Sequence, residues 1–147
     1  MAKPAGSCAF CEIVAGKAAA PLVFEDEESL AFLDKRPVFP GHTLVIPKEH
    51  HETLPSLPSA SIAPLFRCVQ LLSRAVEVAL DAEGTFVAIN NRVSQSVPHL
   101  HVHVVPRRQK DGLRGFFWPR QSYKDWEEVE KIRQGIISAI SRLRAGG

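Results

Sequence analysis

The stretch Pro98-His99-Leu100-His101-Val102-His103-Val104-Val105 sets a histidine at every second position and an apolar residue between each pair. In an extended chain successive side chains point to opposite faces. Read as a strand over Pro98–Val105, it puts three imidazoles on one face and Leu100, Val102 and Val104 on the other. Neighbouring histidines are then roughly 6.5–7 Å apart. The apolar face belongs to a core, so the imidazole row looks the other way.

Outward from this strand, the flanking segments follow two periods. Val23–Glu25 and Leu30–Leu33 read as short strands joined by the acidic turn Asp26–Ser29. Thr43–Ile46 is β-branched and apolar and is closed by Pro47. From Ile62 the pattern becomes helical: Ile62, Leu65, Phe66, Val69, Leu72, Val76 and Ala79 recur at 3.6-residue spacing. Gly84 is placed to end that helix, and Phe86–Ile89 follows as a strand. A last helix is expected from about Lys124 to Leu143, with Trp126, Val129, Ile132, Ile136, Ile140 and Leu143 on one side. The connections before Ile62 are too short for parallel crossovers. The expected class is α+β, a mainly antiparallel five-stranded sheet with two main helices lying on one side.

The 147 residues form one expected domain, loose over 1–7 and ending in a C-terminal extension from about 109. Hydrophobic residues are 45% and charged residues 23% of the chain, which excludes a disordered polymer. A net charge of +2 gives no electrostatic case for nucleic acid, and no apolar run is long enough to span a membrane. Three cysteines and an N-terminus without an apolar leader lead us to expect a reducing cytoplasm.

Three of the six histidines fall within five residues, which points to chemistry rather than a solvated face. A single ion held by all three is disfavoured, since the outer pair lies roughly 13 Å apart at the backbone. No acidic residue follows His103 until Asp111. A neutral imidazole is a competent nucleophile near pH 7, and a second imidazole can stabilise phosphate charge. Gln95 and Ser96 lie just upstream, where an amide, a hydroxyl and backbone N–H groups could meet an anion. The set suits attack on phosphorus.

The run His99-Leu100-His101-Val102-His103-Val104-Val105 resembles the motif of the histidine triad (HIT) family, His-φ-His-φ-His-φ-φ with φ apolar. Cys8–Gly16, Ala31–Asp34 and Gly41–His50 are similar to the family's N-terminal half, so residues 8 to 108 are covered. The resemblance implies a HIT-like fold and a nucleotide hydrolase or transferase acting at the α-phosphate of purine nucleotides. Phosphoramidates, acyl-adenylates and dinucleoside polyphosphates are the implied substrates. His101 would be the nucleophile, forming a nucleotidyl-histidine that water hydrolyses. His103 would contact the phosphate, and Ser96 and Gln95 the phosphate or leaving group. Asp34 would hold the ribose hydroxyls, His42 would lie near the phosphate, and Asn90, or else Asn91, would join that site. The family's glycine-rich connection to the Gln is replaced here by Asn91-Arg92-Val93-Ser94. Homodimers are common in the family, and the helix Ile62–Leu80 and strand Phe86–Ile89 could pair two copies. No organic cofactor is implied.

Cys8 and Cys11 form a C-x-x-C pair with three readings: a redox pair, two buried small residues, or half of a zinc site. Some bacterial-type HIT proteins pair such cysteines with the histidine of the Pro-Lys-x-His segment and the first triad histidine. That resemblance implies structural zinc at Cys8, Cys11, His50 and His99, with His51 as the alternative to His50, and His99 is expected among the substrate-binding residues as well. Four protein ligands leave no open position for catalysis. Cys68, beside Val69 on the helix stripe, is expected to be buried. The aromatic run Phe116 to Trp118 is expected to pack on the sheet or to wall the leaving group. Two rivals to the general reading are a dedicated dinucleoside polyphosphate hydrolase and a zinc-stabilised nucleotide-binding protein with incidental turnover.

Overall fold

The carboxylate of Asp26 turns the chain between its first two strands. Its Oδ1 accepts from the N–H groups of Glu28 and Ser29 at 2.9 and 2.7 Å. β1 (Leu22–Glu25) thereby returns as β2 (Ser29–Leu33), which pairs with β3 (Thr43–Pro47) in unbroken register from Ser29 opposite Pro47 to Leu33 opposite Thr43. β4 (Gly84–Ala88) and β5 (Val102–Arg107) complete one sheet of order β1-β2-β3-β5-β4, in which every neighbouring pair is antiparallel. The computed structural model describes residues 8–114 and 120–146, which divide into one unit through Asp111 and a second from Gly112. The first seven residues and the aromatic run Phe116 to Trp118 lie outside the described residues.

Helix α1 (Ala9–Val14) precedes the sheet, and α2 (Ser59–Leu80) lies between β3 and β4. The 3.6-residue stripe of α2 buries Leu65, Cys68, Val69, Leu72 and Val76 against Ala31, Val45, Val102 and Val104 of the sheet and Leu100 just before β5. This is the main core, and it absorbs the apolar face of the histidine stretch as the alternation predicts. Cys68 is buried in it, as expected, and burial pushes its thiol up to about 11. The helix ends at Asp81, whose left-handed backbone (φ 50°) closes the last turn, and Gly84 opens the next strand instead.

α2 lies on one face of the sheet, and the short helix α1, which the sequence pattern did not announce, lies on the other. Phe10 of α1, with Cys8 beside it, packs there against Leu30, Phe32, Leu44 and Ile46. β2 and β3 are therefore apolar on both faces, and this explains their unbroken apolar runs. The second unit carries α3 (Trp126–Gly146), which starts two residues later than expected. Its apolar stripe is exposed, and none of its side chains is buried. No helix among the described residues is long and apolar enough to cross a membrane.

Candidate active site

The histidine stretch enters the sheet later than its alternation suggests. Only His103 lies within β5, paired with Leu44 on one side and Ala88 on the other. His99 and His101 sit on the segment leading into it, which the Leu100 N–H ties to the His51 carbonyl at 2.7 Å. The rings of His101 and His103 stay adjacent, 5.0 Å between centroids.

The hydrogen bonds of these rings fix where their protons sit, because a backbone N–H can only donate and a carbonyl can only accept. His101 Nδ1 donates to the His99 carbonyl at 2.7 Å. In the neutral ring Nε2 is then a free lone pair, the form a nucleophile needs. His42 accepts from the Val38 N–H at Nδ1, 3.0 Å, so a neutral His42 carries its proton on Nε2. That Nε2–H donates to His103 Nδ1 at 2.9 Å, which leaves His103 protonated on Nε2 as a donor for an anion. Both rings are held neutral. Burial pushes His103 down to about 4, helped by His101 and His42 and opposed by Asp34. Burial likewise lowers His42.

His42 is delivered to this position by Gly41. Its φ of +99° strains any residue with a side chain, and a Cβ there would strike the Leu80 side chain. Asp34 closes the same corner, its N–H on the His42 carbonyl at 2.9 Å and its Oδ2 3.7 Å from His42 Nε2.

His101 and His103 line a cleft of about 440 Å³ together with Asp34, Ser96 and Val97. One wall is apolar: Phe10 and Ile13 from α1, with Phe32 and Leu44 from the sheet. Lys35 and Arg36 stand at its exposed side. A flat hydrophobic group, a polyol and an anion can thus be held in sequence along one cleft.

Behind the cleft lies a second constellation. The ligand atoms of Cys8, Cys11, His50 and His99 all fall within 4.8 Å of one another. His99 is fully buried and donates from Nε2 to the Pro47 carbonyl at 2.8 Å, so its Nδ1 lone pair faces Cys8 Sγ at 3.4 Å and Cys11 Sγ at 3.6 Å. His50 Nδ1 lies 3.3 Å from Cys11 Sγ. Two thiolates and two imidazoles around a tetrahedral ion have sulfur–nitrogen edges of roughly 3.5–3.6 Å. The donor set fits a metal ion in chemistry and spacing. Without one, Cys11 is hard to ionise: burial first, then Cys8, pushes its thiol up to about 11. Burial pushes His99 down to about 4. Asp34, His42 and His103 also cluster within 4.8 Å, but the Val38 N–H occupies His42 Nδ1 and puts a proton on the nitrogen an ion would need.

A family model described as the HIT domain matches residues 15–110. The chain belongs to the HIT family. An adenylylsulfatase of Arabidopsis thaliana is 30% identical over 138 residues, covering 92% of this chain and 68% of that protein. An adenosine 5'-monophosphoramidase of Schizosaccharomyces pombe is 35% identical over 136 residues, 91% and 98% of the two chains. Among solved structures, a Zn-bound histidine triad family protein from Mycobacterium smegmatis superposes with a TM-score of 0.71 at 38% identity, covering 98% of this chain and all (100%) of that one. These similarities support nucleotide hydrolase activity in this HIT protein.

Of the residues singled out from the sequence, the HIT fold brings His101, His103, Ser96 and Asp34 to the cleft and His42 directly behind it. His99, assigned above to substrate as well as metal, is not among the lining residues and faces the sulfurs. Gln95 is also turned away: its Nε2 donates to the Glu52 carbonyl at 2.6 Å and its Oε1 accepts from the Arg92 N–H at 2.8 Å. It braces the irregular loop, where Arg92 and Ser94 adopt φ of 69° and 62°. Asn91 accepts from the Leu54 N–H at 2.9 Å, while Asn90 is exposed at the end of β4. Phe10, Phe32 and Val38 were not among the residues singled out from the sequence. The first two carried a signal, a bulky apolar residue inside the C-x-x-C pair and the unbroken apolar run Leu30–Leu33. Val38 acts through its backbone and carried none.

Proposed function

We propose that this HIT protein hydrolyses or transfers nucleotidyl groups at the α-phosphate of purine nucleotides, through a covalent intermediate on His101. The hydrogen bond from His101 Nδ1 to the His99 carbonyl carries this reading, because it leaves the cleft-lining ring with Nε2 as a base and nucleophile. In the first step an Nε2–P bond forms as the bond from phosphorus to the leaving group breaks. The ring becomes cationic, and the His99 carbonyl stabilises it at Nδ1–H. The His103 Nε2–H meets a non-bridging phosphate oxygen, and the Ser96 hydroxyl sits toward the leaving group. In the second step water attacks phosphorus, the N–P bond breaks and the nucleoside monophosphate departs. Two displacements divide one difficult substitution into two easier ones.

The base would lie in the apolar wall and the ribose hydroxyls on Asp34. The named activities of the relatives, an adenylylsulfatase and a monophosphoramidase, favour adenosine 5'-phosphate joined to a good or amine leaving group. Zinc would occupy Cys8, Cys11, His50 and His99 as a structural ion. The three free thiols suit a reducing cytoplasm. Two copies would pair through α2 and the edge strand β4, where Val78, Leu71 and Val87 are exposed. A panel of adenosine and guanosine phosphoramidates, acyl-adenylates and dinucleoside polyphosphates tests the proposal, run beside His101→Ala. Release of nucleoside monophosphate by the wild type and not by the variant supports it. Equal turnover by both rejects it.

A further inference from the structure

We propose that Phe10 is a positioning residue that transmits the state of the Cys8, Cys11, His50 and His99 cluster to the imidazole of His101 and to the apolar wall of the cleft. The inference rests on the nucleotidyl-transfer reading for its consequence, but its structural basis stands apart from it. Six residues make α1, too few for a helix that persists on its own. What holds it is the docking of its one buried side chain, Phe10, and the cysteines at its start and within it.

Phe10 stands between the two sulfur donors in sequence and between the cluster and the nucleophile in space. Its ring meets His101 edge-on, 5.2 Å between centroids at 90°, and meets His99 at 5.9 Å and 70°. Phe32 backs it at 5.3 Å. The same helix supplies Ala9, Phe10 and Ile13 to the cleft lining. His101 Nδ1 is held by the carbonyl of His99, itself a member of the cluster, and the ring also lies 5.0 Å from that of His103. Two of the groups that orient the nucleophile, Phe10 and the His99 carbonyl, are therefore flanked by, or belong to, the four donors. An ion joining those donors fastens three separate segments and holds Phe10 in place. Released sulfurs free α1, and with it both the ring edge on His101 and one wall of the cleft. Linkage then requires metal and nucleotide each to tighten the binding of the other by one common factor.

The test compares zinc-loaded and zinc-stripped wild type with the same two states of Phe10→Leu. AMP affinity is measured by calorimetry, and the His101 Nδ1–H is followed by imidazole ¹⁵N NMR in the zinc-loaded proteins. Stripping is expected to weaken AMP binding by about tenfold in the wild type. In Phe10→Leu, with zinc still bound at one per chain, AMP binding is already weakened, stripping changes it by less than about twofold, and the His101 Nδ1–H resonance broadens. An equal effect of stripping in both proteins, or an unchanged His101 resonance in loaded Phe10→Leu, overturns the proposal. So does a reconstituted protein that takes up no zinc. If stripping unfolds the chain, the two loaded proteins decide the matter through the resonance. Failure of AMP to bind loaded wild type would strike the nucleotide reading alone, and the His101 resonance would still judge Phe10.

Discussion

His42 donates from Nε2 to Nδ1 of His103 at 2.9 Å, and the Val38 N–H holds the other side of the His42 ring at 3.0 Å. A backbone amide that cannot change its role thus sets the proton position on a ring in the cleft, through one intervening imidazole. Replacing His42 by Asn removes this control while leaving His103 in place. We predict a fall in kcat of about 10- to 100-fold with a smaller change in KM, measured by steady-state kinetics on an adenosine phosphoramidate. Wild-type kcat in the variant would show that the relay has no part in turnover.

The same burial makes stability depend on pH. His103 is lowered from 6.5 to about 4 in the folded chain, and His42 is lowered as well. The unfolded chain therefore takes up these protons first as the pH falls. Stability from this pair is fully present above 6.5 and is lost progressively toward 4. Urea midpoints should decline between pH 7 and about 4.5, and less steeply in His103→Gln. Parallel slopes for the two proteins would contradict this.

Gly41→Ala should cost about 1–3 kcal/mol, through a φ of +99° and the clash with Leu80. Because the strain falls one residue before His42, turnover should suffer even at temperatures where the variant is folded. Denaturant unfolding and kinetics at low temperature check the two parts separately.

Metal removal should destabilise the chain. Cys8→Ser takes one donor from the buried cluster, and the expected outcome is loss of bound zinc by elemental analysis with a Tm lower by several degrees, since about 1 kcal/mol corresponds to roughly 2–4 °C at this size. A variant that keeps one zinc per chain with unchanged Tm would exclude Cys8 as a ligand.

α2 and the triad were legible because each rests on a period: 2 in His99–Val105, 3.6 in Ile62–Leu80. The metal cluster was legible only by resemblance, since His50 and His99 stand far from the cysteines in sequence. What escaped was made by backbone groups and by burial on a second face. Leu30-Ala31-Phe32-Leu33 shows no alternation, and such a strand hides which residue faces the cleft until α1 is seen to cover Phe32. Gln95 looked like a substrate ligand by type and place, yet its amide has two backbone partners that no pattern announces.

In the proposed reaction His101 Nε2 bonds to phosphorus. Rapid acid-free quenching of enzyme mixed with an adenosine phosphoramidate, followed by peptide mass spectrometry, tests it directly. An adenylyl mass increment is expected on the peptide containing His101, mapped to that residue and absent in His101→Ala. An increment mapped to another residue, or product formed with no adduct while His101→Ala turns over normally, would contradict it.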